Sequence, residues 1–556
     1  MIASAPTEPA APAGSASGPP DAASSTARLA RSAGVIGTAT LTSRVLGLVR
    51  DQVLAWLFGA GNAMDAFYVA YRIPNLLRDL FAEGAMSAAF VPTFTRRLKQ
   101  QGKAAAWQLG NQLINALLVA TGALVVLGAI YAGPLTGLIA GDYAAVPGKL
   151  ELTATLTRIL LPLLSLVAVA AALMGMLNSL NRFFIHALSP AMFNVGVILS
   201  AFVLVPFAPA LGLHPIVAIA IGMLLGGLGQ IALQIPPLRR EGYRYRPRLN
   251  PADPGLREML RLMGPGTLAG AAMQINLLVN TILAAGEGTG AVSWLSYAFR
   301  LMYVPIGLFG VSIATAALPA VSRHAANDDP AGMRQTIADA LRMMLMLIVP
   351  ALVGLILLAE PIVHVIFERG SFQPADTAAT AAALAFYAPG LLGYSAVRIV
   401  VPCFYALRDS VTPTLVSVAA VVLNLVLNLI LVQWMGYRGL ALGTSIAAIA
   451  NAALLCYVLN RRIGGIGGGR LLAAFWKIAV AAGLMGAAVV AVQGGLETAW
   501  PQPGLLPALA RLAASIGAGL AVLAAAARVL GIEDWDAAMR RVGAQFRRLR
   551  GRDADR

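Results

Sequence analysis

Of the chain's 556 residues, 58% are hydrophobic and only 12% charged, against about 25% charged in an ordinary soluble domain. The net charge of +16 sits mostly in short stretches between apolar runs, which fits membrane topology and argues against a nucleic-acid partner. Two cysteines (Cys403, Cys456) and four scattered histidines (His186, His214, His324, His364) exclude a disulfide framework and a zinc enzyme.

Taken in chain order, residues 1–27 are rich in Ala, Pro, Ser and Gly and lack the basic and apolar regions of a secretory signal. A disordered cytoplasmic tail is expected over residues 1–30. Fourteen apolar segments follow, near 32–58, 63–95, 104–132, 152–178, 185–208, 214–237, 257–285, 291–322, 333–359, 376–407, 411–434, 438–460, 471–493 and 504–530. Each is long enough to cross a hydrocarbon core about 30 Å thick, and runs of this length span as helices. The expected fold is an all-α integral membrane protein with about 14 transmembrane helices. Residues 531–556 are basic, and the stretch from Trp535 to Arg550 patterns as an amphipathic helix. It reads equally as a helix lying on an anionic leaflet or as a solvated tail.

Lysine and arginine set the topology. Alternate connections hold Arg96, Arg97, Lys99 and Lys103, then Arg182, then Arg239 to Arg248, Arg323, Arg408, and Arg461 to Arg470. The opposite connections hold little beyond Lys149, Arg369 and Arg438. Both termini are therefore expected in the cytoplasm. A faint repeat accompanies this pattern: Pro92 and Pro319 lie 227 residues apart in similar contexts, and Ser189-Pro190 and Thr412-Pro413 lie 223 apart. Six helices separate each pair. The expectation is two pseudo-symmetric six-helix lobes, residues 31–240 and 253–462, with two extra helices over 470–530. Duplicated bundles around a cleft are a transporter architecture.

Ionisable groups inside apolar helices cost about 2.5–3.5 kcal/mol at the bilayer centre, so each calls for a partner or a watery cavity. The first segment carries Arg44, Arg50 and Asp51, and the second carries Asp65, Arg72, Asn75, Arg78, Asp79 and Glu83. Arg300 lies mid-way along the eighth. Asp65, Arg72 and Asp79 recur every seven residues, a stripe of alternating sign that fits an internal salt-bridge network. Snorkelling fits Arg96, Arg97 and Arg323 at helix ends, but not Arg44, Arg78 or Arg300. The functional alternative is a cationic cleft for an anionic substrate, since the guanidinium fork donates in pairs to phosphate oxygens.

No nucleotide-binding loop, zinc-protease motif or nucleophile elbow is present, and the outer connections are too short and bland for an integral-membrane glycosyltransferase. A multidrug cation antiporter would want acidic cleft residues. The run Gly464-Gly465-Ile466-Gly467-Gly468-Gly469 reads as a flexible linker rather than a phosphate cradle. Gly222 and Gly226 match a small-xxx-small packing pattern.

Ser43-Arg44-Val45-Leu46-Gly47-Leu48-Val49-Arg50-Asp51 resembles the first-helix motif of the MurJ (MviN) family. Phe58-Gly59-Ala60-Gly61, Asp65-Ala66-Phe67, Ile73-Pro74-Asn75-Leu76-Leu77-Arg78 and Phe81-Ala82-Glu83-Gly84-Ala85 continue it in order. Arg300-Leu301-Met302, Pro305, Leu318-Pro319, Phe367 to Phe372 and Phe404 to Asp409 resemble later parts of the family pattern. The likeness covers roughly residues 30–530 and is most specific in the first two segments.

The resemblance implies a lipid II flippase of the multidrug/oligosaccharidyl-lipid/polysaccharide exporter superfamily, multi-pass in the bacterial inner membrane. It is a transporter and no enzyme. The same cleft would also suit another polyprenyl-diphosphate glycan, such as an O-antigen or capsule unit. The implied substrate-binding residues are Arg44, Arg50, Arg78, Arg300 and Asn75, with Asp51, Asp65, Arg72 and Glu83 setting cavity charge and gating. Asp51 and Asp65 are expected to orient the arginines. The last two helices are expected to form a groove for the polyprenyl tail. No cofactor is expected; the membrane potential is the expected drive, with a monovalent cation as a candidate co-driver and no site assigned to it. Partners are lipid II and membrane lipids, with cell-wall synthesis and division machinery as candidate protein partners. A duplicated chain should work as a monomer.

Overall fold

The computed structural model describes residues 42–78, 84–180, 182–532 and 535. The expectations for the 1–30 tail, for the chain beyond 535, and for Asp79 and Glu83 fall outside the described residues. Within them all regular structure is helical.

The first helix, α1, covers residues 42–58. A glycine turn leads into α2 (Asn62–Arg78), which holds Pro74. Helix α3 (Gly84–Ile130) is two helices end to end, broken at Gly102, whose φ of 80° is left-handed. The break falls between the second and third segments read from hydropathy, 63–95 and 104–132, and keeps them as separate helices. Next come α4 (Ala132–Ile139), α5 (Lys149–Leu160), α6 (Leu163–Ser179), α7 (Phe183–Leu188), α8 (Ala191–Val203) and α9 (Pro215–Arg240).

After an extended connection the second half begins with α10 (Pro254–Ala285) and α11 (Ala291–Pro305). A π turn over Ile306–Gly310 joins α11 to α12 (Val311–Ala326). Then follow α13 (Pro330–Leu357), α14 (Ala359–Phe367), α15 (Pro374–Tyr387), α16 (Gly390–Ala406), α17 (Val411–Met435) and α18 (Tyr437–Arg462). Helices α19 (Gly468–Ala499) and α20 (Leu505–Val529) close the chain.

Among the described residues, nine helical spans are long and apolar enough to cross a membrane, and α15 with α16, bent by 46°, makes a tenth. Helices α1, α2 with the start of α3, α8 and α10 complete a series of about fourteen. Length and polarity set them apart from the long apolar spans: α8 has 13 residues, while α1 carries three charged residues and α2 carries Asp65, Arg72 and Arg78.

In the first half α3 packs on α6, α2 on α5, and α8 on α9. The α8–α9 approach depends on glycine. A Cβ on Gly226 would lie 2.8 Å from Phe193 Cα, and one on Gly196 would lie 2.5 Å from Gly222 O. Backbone sits where side chains would otherwise intervene, as the small-residue spacing suggested. In the second half α17 packs on α18, α16 on α18, and α11 on α15, while α19 lies on α13 and α20 on α19. Asn280, Asn424, Asn428 and Thr444 bond one another across α10, α17 and α18, which gives each asparagine NH2 an acceptor that lipid could not.

The connection between the halves is strapped along α3. Asn111 Nδ2 donates to Arg244 O and Asn115 Nδ2 to Arg246 O and Arg248 O, while Tyr243 and Tyr245 hydroxyls donate to the two asparagine oxygens. Tyrosines and arginines alternate here because extended backbone sends successive side chains to opposite sides.

Candidate functional site

The mid-membrane charges meet where α1 faces the α11–α12 span. Asp51 is buried, its side chain 1% exposed. Arg50 donates to Asp51 Oδ1 through Nε at 3.0 Å and Nη2 at 2.8 Å. From the other half, Arg300 Nη1 lies 2.9 Å from Oδ1 and 2.7 Å from Oδ2. One carboxylate thus holds two guanidinium groups, and Arg300 keeps 40% of its side chain exposed. Asp51 lies about eight residues from the glycine turn, or roughly 12 Å along a helix, well inside the hydrocarbon layer.

Arg44 does not join this cluster. Its guanidinium lies against Gly307 in the π turn, where any Cβ would overlap it. Pro305 removes a backbone donor just before that turn, and local π geometry absorbs the mismatch. Arg72 turns to α10, with Nε 2.9 Å from the buried Thr281 Oγ1. Asn75 and Arg78 occupy the last turn of α2, beyond Pro74.

Asp65 departs from expectation. Among the described residues its partners lie away from the cleft arginines. Its oxygens accept from Lys149 Nζ at 3.1 Å, Gly290 N at 2.7 Å, Ser293 N at 3.1 Å and Ser293 Oγ at 2.7 Å. Lys149 also sits 3.9 Å over the Tyr143 ring. The seven-residue stripe put Asp65 on the Arg72 face correctly, but Asp65 lies in the first turn of α2, beside the start of α11, and backbone donors at a helix N-terminus attract a carboxylate. Lys149, an exception to the charge bias, is therefore a buried partner of Asp65.

The bonds from Gly290 and Ser293 to Asp65 belong to a latch between the halves at the glycine-turn end. Thr289 Oγ1 donates to Asn62 Oδ1 at 2.7 Å, Tyr297 hydroxyl donates to Gly59 O at 3.3 Å, and Ser371 N donates to Trp56 O at 2.9 Å. At the opposite, basic end Arg97 Nη2 bonds Asp253 Oδ1 at 2.8 Å, and Arg96 pairs with Glu258 at 2.5 Å. Arg96 and Arg97 are thus cross-half ion pairs rather than snorkelling side chains. Burial raises the Asp253 carboxyl, but bonds from Arg97 and from the Leu256 and Gly255 amides outweigh it and leave it below its ordinary value.

Arg398 was not singled out in the sequence. It sits mid-way along α16, exposed, with Nη2 3.0 Å from the Tyr303 hydroxyl. Tyr303 is three residues beyond Arg300, on the same helix face, so Arg398 extends the cationic lining. The available signal was the one used for Arg300: a lone charge inside an apolar segment. Among the described residues no three His, Cys, Asp or Glu side chains come together as a metal site.

A long-helix bundle in two halves, with arginines from both meeting at mid-depth and ion-paired contacts at each end, defines a multi-pass membrane transporter. A family model described as lipid II flippase MurJ matches residues 54–509, and the chain belongs to that family. The probable lipid II flippase MurJ of Vibrio cholerae is 38% identical, over 77% of this chain and 82% of its own. The lipid II flippase MurJ of Burkholderia cenocepacia is 34% identical, over 76% and 82%. A solved lipid II flippase MurJ in an inward closed conformation matches with TM-score 0.73 at 26% identity, over 89% of this chain and 99% of that one. A multidrug MATE transporter of the MOP superfamily, solved inward-facing, shares the fold at TM-score 0.63 and 17% identity, over 77% of this chain and 98% of that one.

Proposed function

We propose that this chain flips lipid II from the inner to the outer leaflet of the bacterial cytoplasmic membrane by alternating access, with both termini in the cytoplasm. The carrying observation is the convergence of Arg50 and Arg300, from different halves, on the single carboxylate of Asp51. A diphosphate offers the same kind of acceptor with more oxygens, so it can take over the forks that Asp51 holds in the empty cavity. Arg44, Arg78 and Asn75 complete the headgroup site, and Arg72 sets the charge of its wall. Asp65 acts as an outer gate through its bonds to the start of α11 rather than as a cavity ligand.

In the cycle the headgroup enters from the basic end while its tail stays in lipid along α19 and α20. Exposed Leu472, Val480 and Leu484 on α19 support that path. The halves then exchange which end is closed; no covalent bond changes. The membrane potential is the drive, since one charge moved through 100 mV is worth about 2.3 kcal/mol. One chain supplies both walls of the cleft, so the working unit is a monomer.

The test uses cells whose only copy can be switched off, radiolabelled lipid-linked precursor, and a probe that cleaves it only from the outer face. Depletion should abolish cleavage while intact precursor accumulates, and Arg300→Ala or Arg78→Ala should fail to restore it although the protein reaches the membrane. Unchanged cleavage on depletion, with a different lipid-linked glycan accumulating, would refute the lipid II assignment.

A further inference from the structure

The glycine run of residues 464–469 is not slack. Gly464, Gly465 and Gly467 hold φ of 75°, 114° and 69°, and the Asn460 side chain accepts from Ile466 N at 2.8 Å. The loop forms one wall of a cavity of about 650 Å³ whose other wall is the first three turns of α13. Three arginines line it: Arg334, Arg342 and Arg470. Arg334 Nη1 bonds Gly464 O at 3.1 Å, and Arg470 Nε lies 3.8 Å from where a Gly467 Cβ would stand. Arg342 pairs with Asp339 at 2.8 Å, the one carboxylate among the described lining residues. The described lining carries a balance of two positive charges, and the first turn of α19 adds amides without helical acceptors. The volume is that of a small-molecule site.

Its depth says what enters. Beyond Arg342, α13 runs Met343 to Leu357 without a charge, and on α19 the exposed Trp476 stands one to two turns beyond Arg470, a residue type concentrated at the membrane–water boundary. We propose that this cavity binds a phosphate group carried by an anionic phospholipid of the inner leaflet, at the seam of α13 and α19. The leaflet rests on the orientation proposed above; the site does not.

The test is native mass spectrometry of the delipidated full chain titrated with phosphatidylglycerol, phosphatidylcholine or inorganic phosphate. The wild type should retain phosphatidylglycerol over phosphatidylcholine. Arg342→Gln with Arg470→Gln should weaken that retention about tenfold or more, two charge-assisted forks being lost. The lysine pair should recover part of it, which separates lost charge from lost folding. Arg244→Gln with Arg246→Gln, on the strap, should leave it unchanged. Equal weakening by the strap pair, equal retention of phosphatidylcholine, or no effect at Arg342 and Arg470 would overturn the site. Displacement by inorganic phosphate at the same concentration as the lipid would overturn the lipid source, because a free anion would then suffice.

Discussion

Lys149→Met removes the cation beside Asp65 but leaves the carboxylate its three bonds from Gly290 and Ser293. Both charged side chains are almost fully buried, at 2% and 0% exposure. Stripping one partner from such a pair costs about 3–5 kcal/mol, and the surviving bonds put this case near 3. Asp65→Asn is the reciprocal change, with Lys149 keeping its position over Tyr143. Lys149 and Asp65 both lie in the first half, so the cost falls on the closed state because there the start of α11 covers Asp65 and keeps water from replacing the lost partner. A loss of about 3 kcal/mol shifts the open-to-closed ratio by roughly a hundredfold. The readout is Thr289→Cys, in a chain with Cys403 and Cys456 changed to Ser, reacted in intact cells with a maleimide that does not cross the membrane. Each single variant should label faster by one to two orders of magnitude, and the double variant should return near the parent because no unpaired charge remains. Parental labelling in both single variants at normal protein level would refute the latch, and so would simple additivity in the double variant.

Arg300→Lys should support growth only partly, since an ammonium cannot hold Asp51 and a phosphate as a fork does; growth of cells carrying it as the only copy decides. Arg398→Ala should lower outer-face cleavage of the precursor several-fold while leaving heat stability unchanged, because its side chain is exposed and its partner is a hydroxyl. Gly226→Ala should destabilise by about 1–3 kcal/mol, read as a lower melting temperature in detergent, since its Cβ meets backbone that cannot step aside. Asp409 accepts from the Thr412 amide and hydroxyl and pairs with Arg462, which holds its carboxyl at about 2, below the ordinary 3.8. A lowered acid stabilises above its ordinary value and stops doing so as pH falls through the lowered one. Amide-exchange protection in the first turn of α17 should therefore hold to about pH 4 and fall between there and pH 2; Asp409→Asn should remove the dependence.

Hydropathy made the helices legible because every spanning backbone must bond within itself, which forces long apolar runs. It blurred where one span bends, as between α15 and α16. The cluster was half legible. Arg50, Asp51 and Arg300 stood out as charges in apolar helices, but their mutual contact joins residues 249 apart in sequence. Arg44 and Asp51 are seven residues apart on one helix face, yet the carboxylate bonds its neighbour Arg50 and a residue of the other half. Lys149 read as a topological exception because one-dimensional charge counting cannot see that Asp65 neutralises it.

The strap along α3 fixes where the molecule can divide mechanically. Arg248 is pinned to Asn115, and Asp253, at the cap of α10, is pinned to Arg97, so both margins of residues 249–252 ride on the first half, on either side of the Gly102 break in α3. The leading turn of α10 is second-half by chain order yet moves as freight of the first half. Rocking the halves cannot then be taken up in the loop that joins them; the flexure has to travel into α10 itself. Lengthening the loop should leave the swing of the halves almost unaltered, whereas cutting either anchor should change its amplitude.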